Sequence, residues 1–543
     1  MKADFKRNQI TTVGQDFSIA QYKANTIRFR QNVGQSRQRN GGSSTFRAAI
    51  LLMAVFLLLP IQSFAATKVF EREYTYQASE ADSKLSCRVI ALEQVKRLLL
   101  EELGTYLQSI SEVKDGVLTK DEIVTLTAGV VRTEVVSEHW DGKVYRLKAR
   151  IKANPDHVIK AINRLRNDRQ KSKDLAESQA RAKQYLNDIK RLKQELSKVK
   201  GEALKRKQIE YVQAVKNLSA ENWFERGLYF CEFQLYNEAI VAFTKTLEIT
   251  PRYAGAYYNR GTAWAMKGDY DRAIVDFNRA LEIDPRCAKA YYNRGIAWAD
   301  KGDFNRAIAD YTKALEIDPR YANAYNTRGY AWGKKGDIDR AIADYTKALE
   351  IDPRDAVAYH NRGIAWADKG DFNRAIADYT KVLEIDPRYA DAYYNRGNAW
   401  GKKGDFNRAI ADYTKALEID PRDANAYNNR GHAWHGKGDY DRAIADYTKA
   451  LEIDPRYAKA YNNRGNAWGG KGNPDRAIAD FNRALEIDPR YAEAYCGRGA
   501  AWIMKGDFWQ ASADARKGLS LKPEDKECQI LVDYLKAKVR GKE

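Results

Sequence analysis

The chain is poor in the residues from which catalytic and metal sites are usually built. Its 543 residues include five His, five Cys and four Met. Cys87, Cys231, Cys287, Cys496 and Cys528 contain no CxxC pair and stand beside no His cluster, so neither a zinc site nor a disulfide framework is indicated. Buried structural thiols are expected. The sequence has no G-x-S-x-G, no phosphate-binding glycine loop and no H-E-x-x-H, and therefore offers no residue to an enzyme or a cofactor. His432 and His435 are three apart, a spacing able to hold a metal, but no third ligand accompanies them and chance placement is the reading.

Long apolar runs are also scarce. The clearest is Ala48 to Ile61, preceded by Arg47 and followed by Ser63-Phe64-Ala65-Ala66, the order of a secretory signal peptide cleaved after Ala65 or Ala66. A membrane anchor is the competing reading of 46–66, because extending the run through Gln62 and Ser63 approaches the roughly 20 residues needed to span a bilayer. Residues 1–45 form a polar, basic leader without periodicity, expected to be disordered. Periplasmic or secreted localisation follows, with inner-membrane anchoring as the alternative.

The net charge of +19 is unevenly placed. Nine Lys/Arg against two Asp give +7 in residues 1–65, and seventeen Lys/Arg against seven Asp/Glu give +10 in 160–217. The remainder is nearly balanced, which argues against a nucleic-acid cradle along the rest of the chain.

Residues 67–154 read as a small α+β domain. Lys68 to Gln77 alternates as a strand, and Ser79 with Asp82 resembles a capping box opening a helix that runs to about Leu107. Asp115-Gly116 breaks the chain, a short helix follows near Lys120, and two strands flank the turn Asp141-Gly142. This pattern is similar to the N-terminal domains of bacterial periplasmic proteins such as flagellar assembly protein T and the LPP20-type lipoproteins. Residues 155–219 read as one long helix with a heptad seam of Leu175, Ala182, Tyr185, Ile189, Leu192, Leu196, Val199 and Ala203. The expectation is a coiled-coil spacer that could pair two copies, or a solvated helix on the repeats. Its basic face is a candidate, with 48–66, for membrane-surface contact.

The rest is periodic. Pro251, Pro285, Pro319, Pro353, Pro387, Pro421, Pro455, Pro489 and Pro523 are separated by (523 − 251)/8 = 34 residues, placing proline at position 32 of nine units that begin at Ala220 and end at 525. Residues 526–543 form a capping helix. Position 4 is aromatic, position 8 Gly, position 11 Trp or Phe230, position 20 Ala and position 24 aromatic until Ala515. Gly and Ala allow paired helices to approach while the aromatics fill the space between them. A Lys-Gly-Asp turn, as at Lys267-Gly268-Asp269, separates the helices. The pattern resembles the tetratricopeptide repeat, which implies a mainly α chain: an α-solenoid, a right-handed superhelix of helix pairs.

One departure from the family is systematic. Position 7, usually apolar, is Arg in all nine units, and position 23 is Asp in units two to nine, with Ala242 in the first. The expected outcome is a structural Arg–Asp pair in each. Positions 2, 5, 9, 12 and 13 vary and are expected to line the inner wall. Position 6 carries Asn259, Asn293, Asn361, Asn395, Asn429 and Asn463, a row of amides able to pair with the backbone of an extended peptide, with Tyr258, Tyr292 and Tyr394 beside it. The row resembles the asparagine ladder of some superhelical tetratricopeptide proteins, including the non-catalytic part of O-linked N-acetylglucosamine transferase; soluble Asn copied by duplication is the plainer reading. The expected activity is non-enzymatic scaffolding of a protein or peptide ligand in the groove. The rival is a membrane-anchored envelope assembly factor in which 67–154 binds and the repeats act as spacer.

Overall fold

The computed structural model describes residues 67–109 and 119–540. The leader, the segment 46–66 and the Asp115-Gly116 break lie outside them. Among the described residues no helix is long and apolar enough to cross a membrane. They divide into two compact units, one ending at Lys335 and one beginning at Gly336.

The first unit opens with a three-stranded antiparallel sheet, β1 (Lys68–Gln77), β2 (Thr133–Trp140) and β3 (Val144–Ala153), in the order β1-β3-β2. Alternation along β3 puts Tyr145, Leu147, Ala149 and Ile151 on one buried face, covered by Val95, Leu99 and Leu103 of α1 (Lys84–Ser109). α2 (Lys120–Ala128) is opened by a capping box between Thr119 and Glu122. The helix expected from Ser79 starts one turn later. Ser79 and Asp82 instead close their own turn, with the Ser79 amide donating to Asp82 at 2.7 Å. Asp82 is held there because Tyr76 and Tyr211 donate to it and Lys193 lies 3.3 Å away.

The expected long helix is three helices, α3 (Pro155–Asn167), α4 (Arg169–Leu196) and α5 (Gly201–Glu232). Gly201, at φ 64°, takes the left-handed turn that folds α5 back on α4. Ala182, Leu186, Ile189 and Leu192 bury against Tyr211, Ala214, Val215 and Leu218 of the same chain. The heptad seam is thus filled by an intrachain partner, which removes the reason to expect it to pair two copies. Several basic residues of the segment are also occupied internally: Arg164 with Glu232 at 2.8 Å and Arg181 with Glu221 at 2.7 Å.

α5 runs on as the first helix of repeat one, so the small domain and the repeats share a core. Lys96 of α1 joins Glu93 at 2.6 Å and Glu225 of repeat one at 2.8 Å, with Gln179 of α4 donating to Glu225. Burial raises the Glu225 carboxyl even though Lys96 opposes it.

Repeat one closes with α6 (Tyr236–Ile249). The first unit then contains the pairs α7 and α8 (Ala254–Met266, Tyr270–Ile283) and α9 and α10 (Ala288–Asp300, Phe304–Ile317), followed by α11 (Ala322–Lys334). The second unit starts at α12 (Ile338–Ile351). It continues as α13 and α14 (Ala356–Asp368, Phe372–Ile385), α15 and α16 (Ala390–Lys402, Phe406–Ile419), α17 and α18 (Ala424–Gly436, Tyr440–Ile453), α19 and α20 (Ala458–Gly470, Pro474–Ile487), and α21 and α22 (Ala492–Met504, Phe508–Leu521). It ends with α23 (Lys526–Arg540).

Local chemistry explains each pair. A Cβ on Gly295 would lie 2.6 Å from the Tyr311 ring, so position 8 must be Gly for the aromatic at position 24 to enter. Gly268 turns the chain at φ 84°, and Asp269 accepts from the Arg272 amide to open the next helix. In the linker, Asp284 accepts from the Arg286 amide across Pro285. The Trp at position 11 is only half-buried: Arg272 covers Trp264 at 4.4 Å, an arrangement copied in later repeats.

The Arg–Asp pairs are present in both units. Arg260 and Arg294 grip Asp276 and Asp310; Arg362, Arg396, Arg430, Arg464 and Arg498 grip Asp378, Asp412, Asp446, Asp480 and Asp514. Each is bidentate, with distances of 2.6 to 2.8 Å. The remaining Nη1 donates to position 25 of the preceding repeat, as from Arg396 to Thr380 at 3.0 Å. Replacing Asp412 by Ala should cost about 3 kcal/mol in chemical unfolding, since it strands a largely buried guanidinium. The double replacement Arg396→Leu with Asp412→Leu should cost less than either single leucine change.

Candidate peptide-binding wall

The first helices of the repeats present the residues singled out in the sequence, but not as a free row. Asn293 donates to Tyr258 Oη at 3.0 Å, Asn429 to Tyr394 Oη at 3.0 Å, and Asn463 to Asn428 Oδ1 at 2.9 Å. Asn395 Nδ2 lies 3.0 Å from His360 Nε2. Burial pushes His360 down to about 4, so its ring is neutral and Nε2 can accept. Every rung runs from position 6 of one repeat to position 5 of the repeat before it. Asn361 is buried, and Asn259 donates to Asp174 of α4 at 2.9 Å and to the Gly255 carbonyl at 2.8 Å.

Position 5, expected on the exposed wall, is therefore an interior position. Tyr292 is 3% exposed, wedged between Tyr311 and Tyr321, and His360, Asn428 and Asn462 are buried. Tyr258 packs on Phe277 and Tyr394 on Tyr413. In repeats two to eight what varies at position 5 is the choice of hydrogen-bonding side chain, Tyr, Asn or His, and that restriction is the signal in the sequence for a pairing with position 6; repeats one and nine have Phe224 and Cys496 there. At repeat nine position 6 is Gly497, and the buried Oδ1 of Asn462 has no hydrogen-bond partner.

Positions 2, 9, 12 and 13 remain for a ligand. His432 and Asn466 at position 9 are exposed. Although His432 keeps an exposed edge, partial desolvation of its ring first, then His435, Lys459 and Lys402 nearby, hold it below the usual imidazole range. Those side chains come from positions 12, 2 and 13 of three successive repeats, so Lys459 and Lys402 bring positive charge to a place where burial keeps His435, like His432, below the usual imidazole range. A Cβ on Gly469 would meet nothing within 4 Å, and one on Gly401 only Tyr413 Oη at 3.9 Å. In the second unit an apolar recess of about 570 Å³ lies between repeats eight and nine and α23, bordered by Gly469, Ala500, Met504, Ile530 and Tyr534.

In the first unit, the first-helix wall is already occupied. α4 and its capping residue Asp168 lie against repeats one to three: Ser178 and Arg181 bond Glu221, which also accepts from Tyr253 at 2.9 Å, Asp174 accepts from Asn259, and Lys289 reaches Asp168 at 3.6 Å. A space of about 100 Å³ is left there, lined by Asp174, Arg181, Tyr253, Tyr258 and Cys287 among others. Nothing in the primary structure marked Asp174 as the partner of the first amide.

Burial pushes the Asp174 carboxyl up to about 6, against the donors Asn259 and Gln170. Because the folded value is raised, the contribution is complete below the unfolded value near 3.8 and is lost as pH rises through about 6. The protection factors of the α4 amides, taken relative to intrinsic exchange at each pH, should therefore fall between pH 5 and pH 7.5, and Asp174→Asn should flatten that dependence. A pH-independent wild type would contradict the assignment.

Six stretches match the tetratricopeptide repeat family: 254–287, 288–321, 322–355, 390–423, 424–457 and 458–491. Residues 365–404 match a further TPR repeat family. No curated protein matches the chain. Among solved structures, a tetratricopeptide repeat protein from Parabacteroides merdae is 21% identical, covering 46% of this chain and 98% of its own, with a TM-score of 0.39. YrrB, "a TPR protein with an unusual peptide-binding site", is 27% identical over 34% of this chain and 95% of its own, with a TM-score of 0.31. MamA is 33% identical over 30% of this chain and 96% of its own, with a TM-score of 0.29. With helix pairs recurring every 34 residues and six units matching the family one by one, the chain is a tetratricopeptide repeat protein.

Proposed function

We propose that the protein is a non-enzymatic scaffold that binds a protein or peptide segment along the first-helix wall of the second unit. The observation that carries this is the approach of Lys402 and Lys459 to His432, at exposed positions that the packing leaves free. A cationic stretch suits a segment with an acidic side chain at that point, and the apolar recess beyond it suits a following apolar one. Asn395, Asn429 and Asn463 serve the wall indirectly, by fixing position 5. The repeats of the first unit, with Asn259 and Asn293, offer less room because α4 lies there. Export through 46–66 places this scaffold in the periplasm or outside the cell, with the mature chain starting after Ala65 or Ala66.

Replacing Lys402, His432, Lys459 and Asn466 by Ala should reduce capture of an envelope-extract partner roughly tenfold without changing the melting temperature. Asn395→Ala with Asn429→Ala should instead lower the melting temperature. Undiminished capture by the first variant would overturn the assignment of the wall. Intact-mass measurement of the mature N-terminus checks export: a chain retaining 46–66 would favour the anchored form.

A further inference from the structure

The last repeat breaks the pattern of rungs in a coordinated way. At four earlier steps the residue at position 5 pairs with an amide at position 6 of the following helix, whereas Gly497 offers none to Asn462. At the final step position 5 is Cys496, and the following helix, α23, has Leu531 where that amide would be. Leu531 has no polar group to offer. The same helix carries Cys528 at position 3, where repeats two to nine have Ala, and the Cys496 and Cys528 sulfurs are placed as a bonded pair with Cα atoms 5.1 Å apart. That separation lies within the usual disulfide span of roughly 4.4–6.8 Å.

A third substitution makes room for them. Position 27 is Ala in most repeats, as at Ala280, Ala450 and Ala484, but Gly518 in the ninth. A Cβ there would overlap the Cys528 sulfur and lie 2.9 Å from the Cys496 sulfur. Asp525 completes the corner, accepting from the amides of Glu527 and Cys528 at 3.1 Å and so opening α23. Cys496 and Cys528 are both buried, at 3% and 0% exposure, and the described cysteines Cys87, Cys231 and Cys287 are unpaired.

We propose that Cys496 and Cys528 form a covalent final rung, a redox latch that holds α23 as the end wall of the array. The expectation of unpaired cysteines drawn from their sequence spacing is corrected here: 32 residues separate this pair, but repeat geometry brings them together. In the step, the two thiols lose two protons and two electrons to a disulfide oxidant, which leaves as two thiols, and one S–S bond forms. Without the bond, α23 is held by Leu531 and Leu535 packing on Ala511, Ala515, Trp502 and Ile503, a small apolar contact. Ile530 and Tyr534, which border the recess, move with α23. The latch does not depend on which ligand, if any, the wall binds.

The full chain, oxidised with glutathione disulfide, is denatured and treated with a maleimide without reductant, then digested and weighed. The expected result is a linked Cys496–Cys528 peptide pair lighter by two hydrogens, with Cys87, Cys231 and Cys287 alkylated. Maleimide on Cys496 and Cys528, or a bound metal retained by two free thiols in the native mass, would overturn the proposal. Reduction of the folded protein should speed amide exchange in α23 roughly 30-fold while repeats five to seven are unchanged. The Cys496→Ser, Cys528→Ser variant should show the fast exchange with or without reductant. Equal exchange in oxidised and reduced wild type would overturn the latch.

Discussion

A single guanidinium, repeated, is the constraint on which the array depends. At each of the seven described pairs the Arg at position 7 uses Nε and Nη2 on the Asp of its own second helix, while Nη1 reaches the Thr or Asn of the preceding one. Three helices are thereby joined by one side chain that is about four-fifths buried. Burying a guanidinium is tolerable only because its partner is fixed and bidentate, and a planar fork meets that demand where Lys would not. Where repeat one has Ala242 instead of Asp, the fork is missing, and Arg226 lies against Trp223 at 4.5 Å. That repeat is held instead by α4, Glu221, and the buried Lys96–Glu225 contact with the small domain.

With the helices so fixed, the amides of position 6 come within reach of position 5 one repeat earlier, and a second set of contacts forms on the inner side. The consequence for recognition is a change of register. The conspicuous amides are used to hold neighbouring repeats, and the surface left for a ligand is the less regular one at positions 2, 9, 12 and 13. The two units differ in what covers this surface: α4 lies on it in the first, and in the second α23, fastened to Cys496 through Cys528, borders the recess.

Most of this fold was readable in the chain because duplication repeats the evidence. Proline spacing set the period, Gly at position 8 and the aromatic at position 24 announced close packing, and Arg with Asp sixteen residues on announced the pair. The misreadings have physical reasons. Variability at position 5 suggests exposure, but Tyr, Asn and His are interchangeable there because each can accept one hydrogen bond. The seam at Ala182 and Ile189 was legible as a seam, yet periodicity does not say whether its partner is a second copy or Tyr211 and Leu218 of the same chain. Asp174 and the Cys496–Cys528 pair depend on contacts distant in sequence, which no local pattern records.

The division between holding amides and contacting ones can be measured directly by NMR, following the side-chain NH₂ signals of the asparagines with and without a bound partner. The account predicts that Asn395, Asn429 and Asn463 exchange slowly with solvent in the free protein and barely shift on binding, while Asn466 exchanges rapidly and shifts. Rapid exchange at the first three, with large shifts on binding, would contradict it.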